Sequence, residues 1–225
     1  MILTRRSFNA ALTATLASTA LVAVAGLSPF ELIGRAFADD APNPADLATP
    51  SPLGDMSLGQ ANAAVTIIEY ASMTCPHCAH FHDAVYPTLK KEYIDTGKVK
   101  FIFREFPLDI KAAAGSMLAR CIGKDDPNKY FAVVDILFKT QESWIPNDTV
   151  AALRRIGRQA GFSDQATDAC LANQAMLDGI KATQEHAADK LKVNSTPTFF
   201  VNGTVLKGGA EIDEFRKVID PLLKS

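Results

Sequence analysis

The chain lacks the excess of basic residues that is typical of proteins that bind nucleic acids. Its 23 lysine and arginine residues are matched by 25 aspartate and glutamate residues, which leaves a formal net charge of −2, so nucleic acid is not an expected partner. It also lacks a glycine-rich phosphate-binding motif and an internal repeat. A length of 225 residues suits one domain, or one domain with an insertion.

Cysteine and histidine are scarce too, but they are concentrated in one segment. The chain has 4 cysteines and 4 histidines. The segment from Ser72 to His82 (SMTCPHCAHFH) holds two of the cysteines and three of the histidines. Such side chains can build either a metal site or a redox-active disulfide.

The amino terminus has the composition of an export signal. Arg5 and Arg6 precede a mildly apolar stretch at about residues 10–27, and an Ala-Phe-Ala sequence ending at Ala38 matches a signal peptidase site. A membrane anchor is the alternative, but hydroxyl residues interrupt the stretch. We therefore expect residues 1–38 to be removed after export to the periplasm. The arginine pair favours the twin-arginine route over the Sec route.

The next segment, residues 39–53, contains four prolines among small and acidic residues. This composition predicts a flexible linker rather than a packed element. Because disulfides persist in the periplasm, the cysteines of an exported chain are interpreted first as disulfide chemistry.

The apolar pattern of the rest of the chain predicts an α/β fold. Residues 65–70 and 99–103 predict buried strands, and a helical face recurs between them, in which Pro87 predicts a kink. Residues 198–201 and 204–207 flank an Asn-Gly dipeptide and predict a β-hairpin. A final amphipathic helix follows.

Between these two parts the chain has helical periodicity throughout. Helix starts are predicted from capping residues and proline at Pro127, at Asn147 or Asp148, and at Ser163. The order βαβ, helical block, ββα predicts one α/β domain formed by residues 54–110 and 192–225, with residues 111–191 as an all-helical insertion.

The sequence Cys75-Pro76-His77-Cys78 follows the first of these strands and begins a helix. The first sulfur therefore lies near unpaired N–H groups and near the positive end of the helix dipole, both of which favour thiolate over thiol. Pro76 suits the first turn, because its missing N–H group would have had no partner. A protonated His77 would favour the thiolate further. The pair can thus alternate between dithiol and disulfide.

A zinc site is the competing interpretation of this segment. Cys75, Cys78, His80 and His82 are suitable ligands by type, but residues 80 and 82 lie about 200° apart around a helix, so both do not easily reach one ion. Zinc patterns also usually place the second ligand pair a dozen or more residues away. We expect no metal, and we expect His80 and His82 to be solvated or substrate-facing surface residues.

Two segments together carry a specific resemblance. Residues 69–78 (EYASMTCPHC) and residues 195–203 (STPTFFVNG) resemble the DsbA-like branch of the thiol:disulfide oxidoreductases with a thioredoxin fold. The resemblance covers about residues 54–223, including the helical block. It implies a thioredoxin fold with a helical insertion and an enzyme without a cofactor.

The resemblance also implies roles for single residues. Cys75 would be the exposed nucleophile and Cys78 the buried resolving cysteine. Pro197 would be a cis-proline facing the disulfide, with the backbone of Thr196 available to a substrate peptide; an ordinary turn is the alternative. Glu69 would relay a proton to the buried cysteine, unless it simply reaches solvent at the strand end.

Cys121 and Cys170 resemble the extra disulfide of certain DsbA relatives. Closing a loop of this length would stabilise the fold by about 4 kcal/mol in the chain-entropy model. A second redox-active pair and a free pair remain open.

The resemblance implies a donor of disulfides to exported proteins with free thiols, acting as a monomer and reoxidised by a DsbB-like, quinone-linked membrane partner. Stabilisation of the reduced form by the helix start and His77 favours this direction. A periplasmic isomerase or reductase, and a peptide-binding chaperone with a merely structural disulfide, are the alternatives.

Overall fold

The computed structural model describes residues 42–224. The predicted export signal, its twin-arginine type and the cleavage after Ala38 lie outside the described residues. Within residues 42–224, no helix is both long and apolar enough to cross a membrane.

A mixed sheet forms the centre of the described part of the chain. Its strands are β1 (Met56–Leu58), β2 (Val65–Ala71), β3 (Val99–Glu105), β4 (Thr198–Val201) and β5 (Thr204–Lys207). They lie in the order β1-β3-β2-β4-β5. The neighbours β2 and β3 are parallel, and the other neighbouring pairs are antiparallel. Strand β1 is an addition to the predicted strands, because three residues are too few for a period-two pattern to stand out.

The predicted hairpin is confirmed, with Asn202 and Gly203 as its two turn residues. Their φ angles are 44° and 93°, as a type I′ turn requires. The turn is also tied to β2, because the Thr66 N–H group donates to Asn202 Oδ1 at 2.8 Å and the Asn202 N–H group donates to the Thr66 carbonyl at 3.0 Å. The turn therefore holds the hairpin in register with the centre of the sheet.

Helices surround this sheet. A short α1 (Pro44–Ala48) precedes it, and a helix between β2 and β3, here called the cysteine helix, consists of α2 (Pro76–His80), π1 (Phe81–Val85), α3 (Tyr86–Leu89) and π2 (Lys90–Ile94). The helical block comprises α4 (Ile110–Gly123), α5 (Pro127–Lys139), α6 (Gln141–Trp144), α7 (Thr149–Gln159), α8 (Asp164–Leu171) and α9 (Gln174–Leu191). The last helix is α10 (Ile212–Leu222).

The predicted helix starts in the block are confirmed. Asp126, Asp148 and Ser163 each precede a helix and accept hydrogen bonds from N–H groups of its first turn, which would otherwise have no partner. Pro127 occupies the first turn of α5. The domain boundaries at residues 54, 111 and 192 stay predictions.

Pro87 lies within the cysteine helix, which continues past it and has one wider, π-helical segment on each side of the proline. Because proline has no N–H group, the helix loses one bond there. The preceding turn is π1, which ends with the Tyr86 N–H group donating to the carbonyl of Phe81, five residues back. Single π-helical turns of this kind often accompany functional sites.

The prediction of an unpacked linker is wrong for the described residues 43–53. Pro44 lies in the first turn of α1, where proline favours a helix. The carbonyl of Leu47 accepts a hydrogen bond from Arg104 at 3.2 Å, and the hydroxyl of buried Ser51 lies 2.9 Å from that of Thr183. Proline-rich composition indicates the absence of long regular elements, but it does not exclude tertiary contacts.

The alternation of β2 divides its side chains between two apolar layers. Ile67 and Ala71 belong to the main core beneath the cysteine helix, whereas Ile68 and Tyr70 pack in a second layer with residues of α9. Since side chains alternate along a strand, Glu69 points to the same side as Ile67 and Ala71. The fold thus places a carboxylate in the core layer that contains the cysteines.

Candidate active site

The cysteine pair lies where the sequence predicts it, at the start of the cysteine helix. Cys75 is the residue that precedes the first turn, Pro76 occupies that turn, and Cys78 lies one turn further on. Cys78 is fully buried, and Cys75 is 5 % exposed. Cys75 is therefore more enclosed than the predicted exposed nucleophile, although it is the more accessible sulfur of the two.

The turn that leads into the helix is held by the helical block. The Gln141 side-chain amide donates to the carbonyls of Met73 and Cys75 at 2.8 and 3.1 Å. The Thr74 hydroxyl donates to Asp109 at 2.7 Å, and Asp109 in turn accepts from the first turn of α4. These bonds fix the backbone that carries the first sulfur.

The second predicted segment meets the first at the sulfur of Cys75. The Thr196–Pro197 peptide bond is cis, which confirms that prediction, and the Cys75 thiol donates to the Thr196 carbonyl at 3.2 Å. The Thr196 hydroxyl has no hydrogen-bond partner among the described residues. The site therefore combines a sulfur, a backbone carbonyl and a hydroxyl group that is available to donate to the thiolate form of Cys75.

The two sulfurs differ strongly in acidity. The pKa of Cys75 is lowered to about 5, chiefly because Cys78 donates a hydrogen bond to the thiolate. Thr196 and the backbone N–H groups of Cys78 and His77 lower it further, while burial works in the opposite direction. The pKa of Cys78 is raised well above its usual value, mainly by burial, then by the hydrogen bond with Cys75 and by the charge of Glu69. The reduced pair is thus one thiolate and one thiol.

Alkylation should reveal this asymmetry. Because only the thiolate reacts, we expect the rate of Cys75 alkylation by iodoacetamide to rise through pH about 5 and to level off above it. An ordinary cysteine continues to gain rate up to pH about 8.5. The measurement is a pH series on the reduced protein, with the modified residue located by mass spectrometry. A rate that still rises steeply between pH 7 and 9 would contradict the lowered pKa.

His77 is exposed, and within residues 42–224 its imidazole has no hydrogen-bond or ion-pair partner. Its backbone N–H group contributes to the lowered pKa of Cys75. The predicted contribution of a protonated His77 side chain stays a prediction.

Glu69 is fully buried and does not reach solvent at the strand end. Its Oε2 lies 2.9 Å from Nε2 of His82, which is itself 2 % exposed. Glu69 Oε1 has no partner among the described residues. The expectation of a surface role for His82 is wrong, whereas His80 is exposed and lies 3.7 Å from Glu211.

The sequence contains the signal for a buried His82. It follows Cys78 by four residues, so the two share a helix face. The observed positions agree with the prediction that residues 80 and 82 face different directions, since His80 is exposed and His82 is buried, but that prediction did not tell which of the two is buried. Gln141 has no comparable signal, since it lies 66 residues from Cys75 along the chain.

The remaining cysteines form a disulfide apart from the reactive pair. Cys121 in α4 is bonded to Cys170 in α8, with a Cα–Cα distance of 6.2 Å and a sequence separation of 49. Cys121 follows Arg120, whose guanidinium pairs with buried Glu105. The bond joins two helices of the helical block.

A cysteine pair at a helix start, faced by a cis-proline on a βαβ–ββα sheet, defines a protein of the thioredoxin fold with a reactive dithiol. The chain belongs to the thioredoxin family, because the family model described as "Thioredoxin" matches residues 51–221. The predicted fold class and the predicted family are thereby confirmed.

The names of the similar proteins refer to disulfide chemistry. A Rickettsia felis protein, named provisionally as a protein-disulfide oxidoreductase, is 35 % identical over 76 % of this chain and 60 % of its own length. Disulfide bond formation protein D of Bacillus subtilis is 28 % identical, with 81 % of this chain and 83 % of that protein covered. The chain spans about three-fifths of the length of the Rickettsia relatives it matches.

Among solved structures, alpha-DsbA1 of Wolbachia pipientis is similar throughout the fold. It has a TM-score of 0.75 and 33 % sequence identity, and the match covers 81 % of this chain and 96 % of that chain.

Proposed function

We propose that the protein is a thiol:disulfide oxidoreductase of the DsbA type that donates disulfide bonds to exported proteins in the periplasm. The observation that carries this proposal is the position of the Cys75 sulfur at the start of the cysteine helix, 3.2 Å from the Thr196 carbonyl beside the cis-proline. In agreement with this position, the pKa of Cys75 is lowered to about 5 and the pKa of buried Cys78 is raised. Interactions that stabilise the thiolate stabilise the reduced form, and a stabilised reduced form makes the disulfide a strong oxidant. The names of the similar proteins agree with the reaction class.

The reaction begins with the Cys75–Cys78 disulfide. A substrate thiolate attacks Cys75 Sγ, the bond between the two cysteines breaks, and Cys78 leaves as a thiolate that takes up a proton. A second substrate thiolate then attacks the substrate sulfur of the mixed disulfide. Cys75 leaves as a stable thiolate, because its low pKa makes it a good leaving group. The substrate loses two electrons and the enzyme gains them.

Substrate would lie along the Thr196 side of the site. A peptide in extended conformation can pair with the backbone of Thr196, next to the cis-proline. The carbonyl of Thr196 lies 3.2 Å from the sulfur of Cys75. The substrates on this proposal are exported proteins with free thiols. A DsbB-like, quinone-linked membrane protein would reoxidise the monomeric enzyme.

The redox equilibrium with glutathione tests the direction of the reaction. We expect a reduction potential near the oxidising end of the family range, about −120 mV, rather than near the value of thioredoxin, about −270 mV. The measurement quantifies reduced and oxidised protein by alkylation after equilibration at pH 7. It is paired with an assay of disulfide formation in a reduced substrate protein.

The outcomes separate the alternatives. A potential close to that of thioredoxin, without oxidation of the substrate, would exclude a disulfide donor and favour a reductase. Efficient rearrangement of a scrambled substrate, with slow net oxidation, would favour an isomerase. Suppression of aggregation without thiol exchange would favour a chaperone.

A further inference from the structure

Residues 72–75 form the turn between β2 and the cysteine helix, here called the active-site turn. Two side-chain contacts tie this turn to the helical block. The Thr74 hydroxyl donates to Asp109, which precedes α4, at 2.7 Å. The second contact comes from Gln141, the first residue of α6. The turn that carries the first sulfur is therefore held from outside the sheet domain.

The Gln141 side chain bonds two carbonyls of this turn at once. Its amide nitrogen donates to the Met73 carbonyl at 2.8 Å and to the Cys75 carbonyl at 3.1 Å. Both partners are carbonyl oxygens, which only accept, so the nitrogen and not the oxygen of the amide faces the turn. The Cys75 carbonyl also accepts the first helical bond, from the Ala79 N–H group at 3.1 Å. One side chain thus orients the backbone of Cys75 and of the residue two positions before it.

Helix α6 is only four residues long, but packing fixes its position. Trp144 is fully buried, and its indole N–H group donates to the Leu137 carbonyl at 2.8 Å. Met73 is fully buried as well, and a Cβ atom at Gly115 of α4 would lie 3.4 Å from both Met73 and Trp144. Since this packing already holds α6, Gln141 loses little further freedom when it binds the turn.

These contacts have different importance in the two redox states. In the oxidised protein, the bond between Cys75 and Cys78 limits how far the two residues can move apart. The structure describes the pair as free thiols, so this covalent link is absent. Cys75 is then held by its thiol, which donates to the Thr196 carbonyl at 3.2 Å, and by the bond from Gln141 to its carbonyl. Loss of Gln141 should therefore destabilise the reduced form more than the oxidised form.

The position of the Cys75 backbone also decides how well the thiolate is stabilised. The donors to this thiolate include the Cys78 thiol and the backbone N–H groups of His77 and Cys78 at the helix start. Hydrogen bonds weaken steeply when their geometry is distorted, so a shift of the turn would weaken several of these bonds together. A disulfide sulfur carries no charge and gains little from the same donors.

We propose that the helical block increases the oxidising power of the cysteine pair, and that Gln141 is the positioning residue through which it does so. Gln141 bonds backbone carbonyls rather than either sulfur, so it acts through Cys75. An interaction that favours the reduced form makes the disulfide a stronger oxidant. The proposal rests on the proposed thiol exchange and adds a role for the helical block in it.

The reaction that measures this effect is reduction of the protein by glutathione. The Cys75–Cys78 bond breaks, the sulfurs of two glutathione molecules are joined, and two electrons pass from glutathione to the protein. Of the two glutathione protons, Cys78 takes one, and the other is released because Cys75 stays a thiolate. The equilibrium constant of this reaction falls when the reduced protein is destabilised relative to the oxidised protein.

The variant Gln141→Met tests the proposal, because methionine has a similar length but no N–H donor. We expect its equilibrium constant for reduction to be about tenfold lower than that of the wild type, since two hydrogen bonds are lost. This change corresponds to a reduction potential about 30 mV more negative. The matched control is Gln165→Met, the same change at an exposed glutamine of α8, which should leave the constant unchanged. A constant for Gln141→Met within about twofold of wild type would overturn the proposal.

Unfolding in urea separates this role from a merely structural one. The free energy of unfolding of Gln141→Met should fall more in the reduced protein than in the oxidised protein, and the difference should match the change in the glutathione equilibrium. An equal fall in both redox states would mean that Gln141 stabilises the fold without influencing the cysteine pair. That result would also overturn the proposal.

Thr74→Val keeps the test decisive if Gln141→Met does not fold. Valine has the shape of threonine but lacks the hydroxyl that donates to Asp109, so the other contact between the turn and the helical block is lost. We expect an equilibrium constant about threefold lower, because one hydrogen bond is removed, and an unchanged constant would overturn the proposal. The potential of the wild type alone tests the direction of exchange, whereas the ratio of variant to wild type tests the role of the helical block.

Discussion

Replacing Cys75 with serine should abolish thiol exchange, whereas replacing Cys78 with serine should stop it at the mixed disulfide between Cys75 and the substrate. In Cys75→Ser the remaining thiol has no exposed surface and a raised pKa, so substrate cannot reach it and little thiolate forms. In Cys78→Ser, the serine hydroxyl can donate to Cys75 in place of the thiol, so Cys75 can still react as a thiolate and join a substrate sulfur when a disulfide is offered. We expect a fall of at least about a thousandfold in disulfide formation for both variants, because neither can hold the reactive disulfide.

The difference between the variants lies in the mixed disulfide. Cys78→Ser should accumulate a covalent complex with a peptide that carries an activated disulfide, visible by mass spectrometry and released by dithiothreitol. Cys75→Ser should accumulate none. If Cys75→Ser retained oxidation of substrate, the assignment of the nucleophile would be wrong. If both variants suppressed aggregation as well as the wild type, a chaperone activity would be present beside the exchange or in place of it.

The cysteine pair and the hairpin were predictable because each follows from a local rule. A Cys-x-x-Cys sequence at a helix start places its two sulfurs on the same side of the first turn, and an Asn-Gly dipeptide between two apolar runs fixes both turn and register. The observed φ angles of Asn202 and Gly203, 44° and 93°, match that rule. The helix starts at Asp126, Asp148 and Ser163 follow equally from capping, which involves only three or four neighbouring residues.

Features that depend on distant contacts were not predictable in this way. The packing of residues 43–53 depends on Arg104 and Thr183, and Gln141 reaches the active-site turn from another helix. A polar side chain on a helix is usually solvated, and burial of His82 depends on a hydrogen-bond partner, Glu69, that lies on another element, β2. The local sequence pattern therefore predicts the positions of Cys75 and Cys78, but it does not predict most of the polar side chains around them.

Removing the disulfide between Cys121 and Cys170 should destabilise the protein without slowing thiol exchange. The bond closes a loop with a sequence separation of 49. Its loss raises the conformational entropy of the unfolded chain, which lowers the free energy of unfolding by about 4 kcal/mol in the chain-entropy model. The double variant Cys121→Ala/Cys170→Ala should therefore unfold at a lower temperature, by about 8–16 °C for a domain of this size. Thermal and urea unfolding of the variant and the wild type, both with Cys75–Cys78 oxidised, measure the change.

The serine double variant Cys121→Ser/Cys170→Ser separates the bond from the packing of the side chains. Cys170 is buried, and its sulfur lies 3.1 Å from the Met117 carbonyl, so a serine hydroxyl at this position has an acceptor within reach, whereas alanine brings no polar group. Similar destabilisation in both double variants would assign the effect to the cross-link. Unchanged oxidation of substrate would identify the bond as structural. A fall in activity that exceeds the loss of folded protein would instead indicate a second redox-active pair, and this outcome would contradict the assignment of all exchange to Cys75 and Cys78.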